Sequence, residues 1–519
     1  MASKPASLAE AFRKLQAGDA VGALSVAERI LAGDPSHARA HLAAGIALRM
    51  SGRLVEAAAA LARAREADPR DHAAAYEAGI VHQLQGAAAP ALEAFEASAR
   101  LRPDFFAAHL AAGLLHAERR EWKAAVDCFR RVLQLKPGQP EALLQLALAL
   151  GRANRHDEAE ATFVQALATH PGDLAIIRAF GQYSAARANF RRAASLFAEA
   201  VRLAPGDDAL PMYLAQCELL LGRWPAAWEA YARRESRREF ARAAAAAGRP
   251  YVLPRLEALD ARRVTLVSEQ GLGDVLFFLR WAPLLRERAG DLAFAGEPRL
   301  HGPLGRTGLF SAFDAARDPA GGGADRILVG DLPALFLGAD PLALAPLAIA
   351  PLPERLAHWE AALGRLGSRP WIGVQWRAGT PREASRTALS KEAPLEALFA
   401  ALGAREGTLL ALQRGVTPEE LARAAGSAGR PVHDLSRAND GLEDLLAIVA
   451  LLDRHVAVSS TTMHLAAGAG ASADVLVPFP PEWRWRAEGD SPWFPGFRTH
   501  RQDASGDWSA AIASAARGG

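Results

Sequence analysis

The sequence predicts two folds in series, an α-helical solenoid in the first half and an α/β fold in the second. Two observations predict the solenoid: prolines recur every 34 residues as far as Pro205, and alanines and other small residues repeat with the same period. A third observation predicts the α/β fold. From Arg263 onward, short apolar runs end in glycine-containing turns and lead into helices. The 519 residues are enough for two or three domains with substantial cores.

Four columns of residues define the repeat. A small residue in the first helix and an alanine in the second let the two helices cross closely, and the proline ends the second helix. A larger apolar residue four positions after the alanine packs into the next repeat, so that stacking builds the core. The columns are Gly45, Gly79, Gly113, Ala147, Gly181 and Ala215; Ala23, Ala57, Ala91, Ala125, Ala159, Ala193 and Ala227; Leu61, Phe95, Phe129, Phe163, Phe197 and Tyr231; and Pro35, Pro69, Pro103, Pro137, Pro171 and Pro205. They resemble the tetratricopeptide repeat, and the resemblance covers roughly residues 1–240.

The first helix of each repeat is expected to line the concave face of the solenoid. Its fifth and ninth positions are apolar in the earlier copies, which predicts a groove for an apolar helix or segment of a partner protein. The alternative is that these side chains only fill a tightly wound superhelix. In the last two copies polar residues enter these positions, which are Arg178 and Gln182 and then Met212 and Gln216. The predicted partner-binding residues are Leu42, Ile46, Tyr76, Ile80, Leu110, Leu114, Leu144 and Leu148.

Composition excludes several classes of function. The formal net charge is +2, which gives no indication of nucleic acid or an acidic membrane as a partner. Cys128 and Cys217 are the two cysteines, and they indicate neither a disulfide framework nor a metal site. The N-terminus lacks the apolar stretch of a signal peptide, and no apolar run is long enough to span a membrane. We therefore expect a soluble, cytoplasmic protein.

Two strand-to-helix turns in the second half have the pattern of anion sites. The strand Val264–Ser268 leads through Gly271 and Gly273 into a helix, whose first backbone amides have no partner within the helix. The glycines allow a ligand to approach the backbone, but Asp274 is also compatible with a simple helix cap. The strand at Val456–Ser459 enters a hydroxyl-rich turn that suits phosphate oxygens, and an ordinary N-cap with a structural histidine is the alternative.

A further strand, Trp371–Trp376, is followed by a loop with Arg377, Gly379 and Thr380. Five segments then occur in a fixed order: Glu269–Asp274, Leu389–Glu392, Thr461–Ala466, Pro478–Trp485 and Asp490–Phe494. Together they resemble the C-terminal domain of bacterial tetratricopeptide-linked glycosyltransferases related to the heptosyltransferases, over roughly residues 250–519.

The resemblance implies a GT-B fold, which has two Rossmann-like lobes with the donor in the cleft between them and requires no metal or cofactor. The chain would then divide into a solenoid (1–240), a linker (241–260), an N-terminal lobe (261–350) and a C-terminal nucleotide-sugar lobe (351–519).

The resemblance also implies roles for individual residues. Asp274 would be the general base, with Glu269 as the alternative, because a carboxylate can accept the proton of an attacking hydroxyl. Cations would neutralise the leaving nucleotide in place of a metal. Many relatives have Asp–Thr where this chain has Ser459 and Ser460, which leaves the donor geometry open. The predicted donor-binding residues are Gly271, Gly273, Arg377, Lys391, Ser460, Thr461, Thr462 and His464.

The predicted function is a protein O-glycosyltransferase that transfers a sugar from a nucleotide-activated donor to Ser or Thr of a protein captured by the repeats. The pairing of repeats and transferase is similar to bacterial flagellin glycosyltransferases, some of which use a CMP-activated nonulosonic acid. Two alternatives remain: a non-catalytic scaffold with a degenerate transferase domain, and a transferase for a glycan or lipid-linked acceptor. Four aromatic residues would either stack on the donor or close the C-terminal lobe: Trp483, Trp485, Trp493 and Phe494.

Overall fold

The computed structural model describes residues 7–316, 325–337, 340–378 and 391–518. The predicted loop residues Gly379 and Thr380, and the first two residues of the segment Leu389–Glu392, lie outside this range. The chain forms two compact units, Met1–Phe180 and Gly181–Gly519.

The first half is a helical solenoid, as the repeat columns predicted. From residue 38 to residue 203, helices of 13 and 14 residues alternate, which is the regularity expected when each repeat is one helix pair. The helices are α1 Leu8–Gln16, α2 Ala20–Gly33, α3 Ala38–Met50, α4 Leu54–Ala67, α5 His72–Leu84, α6 Ala88–Leu101, α7 Phe106–Glu118, α8 Trp122–Leu135, α9 Pro140–Arg152, α10 His156–Thr169, α11 Leu174–Ala186, α12 Phe190–Leu203, α13 Leu210–Leu220, α14 Trp224–Tyr231 and α15 Glu235–Ala246.

The glycine column lets a large side chain of the second helix lie against the backbone of the first. A Cβ atom placed on Gly79 would be 2.6 Å from the ring of Phe95, and one on Gly113 would be 2.7 Å from the ring of Phe129. Both rings are buried. The repeat therefore needs a residue without a side chain at this position, which is the close helix crossing that the sequence predicted.

Replacing Gly79 with valine should destabilise the first unit. The new side chain has to displace the buried ring of Phe95, and overpacking of this kind costs about 1–3 kcal/mol. Gly33→Ala is the matched control, because Gly33 lies at the end of α2 with no atom within 4 Å of an added Cβ. Urea denaturation followed by far-UV circular dichroism measures both variants. A Gly79→Val midpoint equal to that of the wild type would contradict this packing.

One of the predicted groove residues does not face the groove. Leu42 is 2% exposed and packs in the core of the first repeats among small side chains such as Ala43 and Ala47, which counts against the prediction that it binds a partner. The other seven predicted residues are half-buried and keep an accessible surface. The ring of Tyr76 makes an edge contact with the ring of Phe105, with 5.0 Å between the ring centroids, and Tyr76 remains partly accessible.

The second half contains two parallel sheets covered by helices, as an α/β fold requires. The four-stranded sheet has the order β3-β2-β1-β4, and the six-stranded sheet has the order β10-β9-β8-β5-β6-β7. Its elements are β1 Arg263–Val267, α16 Leu272–Phe278, α17 Ala282–Arg288, β2 Asp291–Ala295, α18 His301–Gly305, β3 Ala312–Asp314, β4 Asp325–Leu328, α19 Leu332–Leu335, α20 Pro353–Leu366, β5 Trp371–Gln375, α21 Leu395–Gly403, β6 Thr408–Ala411, α22 Pro418–Ala428, β7 Val432–Asp434, α23 Leu442–Leu451, β8 Arg454–Val458, α24 Thr461–Gly468, β9 Asp474–Val477, β10 Arg498–Arg501 and α25 Ser509–Arg517.

Each sheet reverses its strand order beside its first strand. In the first sheet β1 lies between β2 and β4, and in the second β5 lies between β6 and β8. This is the order of doubly wound folds, which bind ligands in the crevice at the carboxyl ends of the strands where the order reverses. We call these two places the β1/β4 switch point and the β5/β8 switch point.

The compact units divide the chain at a different place from the predicted end of the repeats at residue 240. The second unit begins at Gly181, and α14 packs against the α/β part through Trp224 and Trp493 (5.1 Å) and through Trp228 and Trp281 (6.1 Å). The predicted linker is also packed. α15 extends to Ala246, and Tyr251 lies against Phe240 at 5.2 Å.

Within the residues described, we find no helix with both the length and the apolar character needed to cross a bilayer.

Candidate functional site

The β1/β4 switch point is filled by charged side chains. Glu269, which follows β1, accepts hydrogen bonds from Arg234 Nε (2.9 Å), Ser236 Oγ (2.6 Å) and the backbone amide of Gly330 (3.0 Å). Arg234 is 2% exposed and also binds Asp331 after β4, at 2.7 Å. Both carboxylate oxygens of Glu269 are thus occupied in a buried network. This geometry counts against the alternative prediction that Glu269 is the general base and favours a structural role.

The loop that follows Glu269 is held by the last repeat helix. Gln270 has a positive φ of 61°, which is unfavourable for a residue other than glycine. Its side-chain amide forms two hydrogen bonds with the hydroxyl of Tyr231, at 2.7 and 2.9 Å. Tyr231 and Arg234 therefore fix the backbone that leads through Gly271, the N-cap of α16, to Asp274.

Asp274 begins a chain of alternating charges that joins α16 to the segment after β9. Its carboxylate pairs with the guanidinium of Arg484, which also pairs with Glu482. Glu482 in turn accepts from Lys391 Nζ at 2.5 Å and from Ser459 Oγ at 3.0 Å. Burial alone would raise the pKa of Glu482, but Lys391 and Arg484 outweigh burial and hold it well below its usual value. Glu482 therefore stays ionised, and the formal charges of the four groups sum to zero.

This chain of charges gives a physical reason for the serine at position 459. The hydroxyl of Ser459 donates to Glu482, whereas an aspartate at that position would bring a second negative charge to the same carboxylate.

The β5/β8 switch point keeps an uncapped helix end. α24 begins at Thr461, and among the residues that the structure describes no side chain caps its N-terminus. The hydroxyl of the N-cap residue Ser460 instead donates to Gln375 at the end of β5, at 3.3 Å. Thr462 is 3% exposed, which counts against the prediction that its hydroxyl contacts a donor. The first amides of α24 can bind an anion.

The two predicted loops meet at Gly273 and His464. A Cβ atom placed on Gly273 would lie 3.0 Å from Cδ2 and 3.3 Å from Nε2 of His464, and 3.5 Å from Cα of Thr461. The lack of a side chain at Gly273 thus lets the loop after β1 lie against the start of α24. The predicted acceptor and donor loops, distant in sequence, are neighbours in space.

His464 is neutral at pH 7. Burial and then the charges of Arg484 and Arg280 hold the pKa of His464 well below its usual value. Arg280 is 2% exposed and donates to the carbonyls of Phe277 (3.0 Å) and Trp493 (3.1 Å). It has no carboxylate within ion-pair distance in the described part of the chain. The surroundings of α24 therefore contain more positive than negative side chains, which favours an anion.

Arg377 does not join this group. Its guanidinium pairs with Glu420 at the start of α22 and donates to the carbonyl of Gly415 at 3.0 Å. Glu420 thus neutralises the charge of Arg377. The other predicted cation, Lys391, pairs with Glu482 instead, so the structure does not bring the two predicted cations together.

Asp274 and Lys391 line one cavity of about 580 Å³, a volume typical of ligand sites. Its other lining residues fall into two walls. One wall consists of repeat residues from α11 to α14, and the other of Gln270 and residues 480–484. The cavity thus joins a predicted base and a predicted cation with side chains of the last repeats.

The aromatic cluster is a core. Trp485 and Trp493 are 0% exposed, Phe494 is 1% exposed, and Trp483 is 8% exposed. Edge contacts join Phe277 to Trp483 (4.9 Å) and to Trp493 (5.2 Å). Of the two predicted roles, closing the lobe fits the burial of Trp485, Trp493 and Phe494, whereas Trp483 also lines the cavity, so that both roles stay open for it.

Three residues of the site were not predicted from the sequence: Arg484, Glu482 and Tyr231. Arg484 and Glu482 lie inside the segment Pro478–Trp485, where a charged residue precedes each of its two tryptophans. This alternation was the available indication that these charged residues form ion pairs, because a charge beside buried aromatic residues is unfavourable without an oppositely charged partner.

The fold and the repeat columns define the class of each part: tetratricopeptide repeats in the first half of the chain, followed by a doubly wound α/β part. Family models described as tetratricopeptide repeat match residues 14–78 and 116–182, and residues 76–140 and 178–241. Over 328 residues the chain is 29% identical to Protein FlbA of Caulobacter vibrioides, a match that covers 58% of this chain and 54% of that protein. The chain thus matches about half the length of this curated relative.

Solved structures resemble the repeats at low identity. YrrB, described as a TPR protein with an unusual peptide-binding site, is 21% identical, with a TM-score of 0.33, covering 36% of this chain and 95% of that one. Pseudomonas aeruginosa PilF is 20% identical, with a TM-score of 0.34, covering 38% of this chain and 91% of that one.

Proposed function

We propose that this protein is a metal-independent glycosyltransferase with a GT-B arrangement of its two sheets, and that it glycosylates Ser or Thr of a protein bound by its repeats. One observation carries the proposal. The loop with the candidate base and the uncapped start of α24 lie side by side at Gly273 and His464. An acceptor hydroxyl at Asp274 and a donor phosphate at α24 would then be close enough to react.

The chemistry assigned to these groups is a single displacement. The hydroxyl oxygen of the acceptor attacks the anomeric carbon of the donor, and the bond from that carbon to the phosphate oxygen breaks. The hydroxyl proton passes to the carboxylate of Asp274, and the bonding electron pair leaves with the phosphate. The first amides of α24, neutral His464 as a hydrogen-bond donor, and the cations Lys391 and Arg484 would stabilise the leaving phosphate.

The repeats support a protein as the acceptor. Tetratricopeptide solenoids bind peptides and proteins on an extended concave surface, and seven predicted groove residues keep accessible surface here. Flagellin remains the proposed acceptor, and a CMP-activated nonulosonic acid the proposed donor, because of the resemblance to flagellin glycosyltransferases. The reaction would take place in the cytoplasm.

A scaffold without activity is the second candidate. Its support is that the charged groups at the switch points neutralise each other: Glu269 with Arg234, Arg377 with Glu420, and Asp274 with Arg484. A scaffold and a transferase differ in whether a nucleotide binds.

We expect at least one of CMP, UDP, GDP and ADP to raise the melting temperature of the protein. A ligand at one hundred times its Kd adds about 2.7 kcal/mol to the stability of the native state. Differential scanning fluorimetry with each nucleotide measures the shift. No shift with any of the four would favour the scaffold.

Two variants of Thr461 test where the phosphate binds. Thr461 is the first residue of α24, a position at which proline fits a helix while removing the backbone N–H. Thr461→Pro should therefore weaken the nucleotide-induced shift, and Thr461→Ala, which keeps the amide, should preserve it. Equal shifts in the two variants would exclude the start of α24 as the phosphate site.

A further inference from the structure

The repeat wall of the 580 Å³ cavity differs chemically from the groove of the earlier repeats. At the ninth position of the first helix, the earlier copies have Ile46, Ile80, Leu114 and Leu148. The two copies that line the cavity have Gln182 and Gln216, which are 34 residues apart and so occupy the same face of α11 and α13. The ninth position thus changes from an aliphatic to an amide side chain in the two repeats that line the cavity.

Both amides are available to a ligand. Gln182 and Gln216 are exposed, and neither has a hydrogen-bond partner within the described ranges of the chain. A glutamine amide donates and accepts, which is the combination needed to pair with a peptide backbone. Two such amides in successive repeats would bond successive parts of an extended strand.

The rest of the lining selects against a highly charged ligand. The opposite wall contains Asp274 and Glu482 against Lys391 and Arg484, so its formal charges sum to zero. Beside the glutamines the repeat wall is apolar, with Met212 and with Tyr213, whose ring stacks on Phe197 at 5.2 Å. An uncharged segment with exposed backbone amides fits this lining better than an acidic or basic tail.

We propose that this cavity is the acceptor site, and that it takes an extended, uncharged polypeptide segment rather than a glycan. Gln182 and Gln216 bond the backbone of the segment, and its Ser or Thr hydroxyl reaches Asp274, which also lines the cavity. This inference rests on the proposed function. Recognition through the backbone explains how one site could accept several Ser and Thr positions of a protein.

The test uses the full chain and a synthetic array of nine-residue uncharged peptides, each with a central Ser or Thr. We expect the wild type to bind a subset of these peptides, and N-methylation of their backbone amides to weaken binding. Gln182→Ala/Gln216→Ala should raise the Kd for the best peptide about tenfold or more, since two hydrogen bonds are lost. The same N-methylation should have little effect on that double variant.

The matched control is Gln134→Ala/Gln165→Ala, which removes two exposed glutamines from second helices of their repeats, outside the cavity. It should bind the peptides like the wild type. The nucleotide-induced melting shift should be the same in all three proteins. A nucleotide shift without any peptide binding, or peptide binding unaffected by the cavity variant, would overturn the acceptor site while leaving the transferase proposal intact. Absence of a nucleotide shift would instead defeat the transferase proposal.

Discussion

Asp274→Asn should lower the rate of sugar transfer about 10²- to 10⁴-fold, the usual contribution of a general base. The amide cannot take the proton of the acceptor hydroxyl, but it has nearly the shape of the carboxylate. Asp274 is partly accessible, with 32% of its side chain exposed, and it lines the cavity. The nucleotide-induced melting shift should persist in the variant, because Asp274 lies outside α24 and is not needed to bind the donor.

The measurement is the intact mass of the acceptor after incubation with the nucleotide-sugar whose nucleotide gives the largest melting shift. Asp260→Asn is the control, since Asp260 is exposed and its nearest cation, Arg288, is 3.7 Å away. If Asp274→Asn transfers sugar at the wild-type rate, Asp274 is not the general base, and another group must accept the proton.

Arg234→Met should destabilise the second unit by about 3–5 kcal/mol, because it leaves the buried carboxylate of Glu269 without its cation. Glu269 would lose the guanidinium that binds both its oxygens, while Asp331 would keep Arg237 at 2.9 Å and Tyr251 at 2.6 Å. Arg202→Met is the control. Arg202 pairs with Glu199 on the surface, and such pairs contribute at most about 1 kcal/mol.

Urea denaturation followed by tryptophan fluorescence measures this effect. Ten of the eleven tryptophans lie beyond residue 180, so the emission reports mainly on the second unit. A loss of less than about 1 kcal/mol in Arg234→Met would mean that the buried network is not needed for stability.

The sequence predicted those parts of the fold that repeat or lie close together in the chain. The solenoid was visible because each repeat places its glycine and its large apolar residue at fixed positions, as Gly79 and Phe95 illustrate. The strand-to-helix turns at Gly271 and Ser460 were visible because each is a local pattern of small or hydroxyl residues after an apolar run.

Partners distant in the chain could not be predicted in this way. Glu269 pairs with Arg234 and Arg377 with Glu420, at separations of 35 and 43 residues, and no local pattern shows that these charges are neutralised. The repeat register likewise continued to Tyr231 without showing that α14 packs on the α/β part. The large residues Trp224 and Trp228 in that helix were the available indication.

The decisive measurement is a structure of the protein with its most stabilising nucleotide bound. We expect phosphate oxygens within about 2.7–3.2 Å of the first backbone amides of α24, with Lys391 or Arg484 alongside. A nucleotide bound anywhere else on the molecule, with the Thr461 amide still unoccupied, would rule out the start of α24 as the donor site.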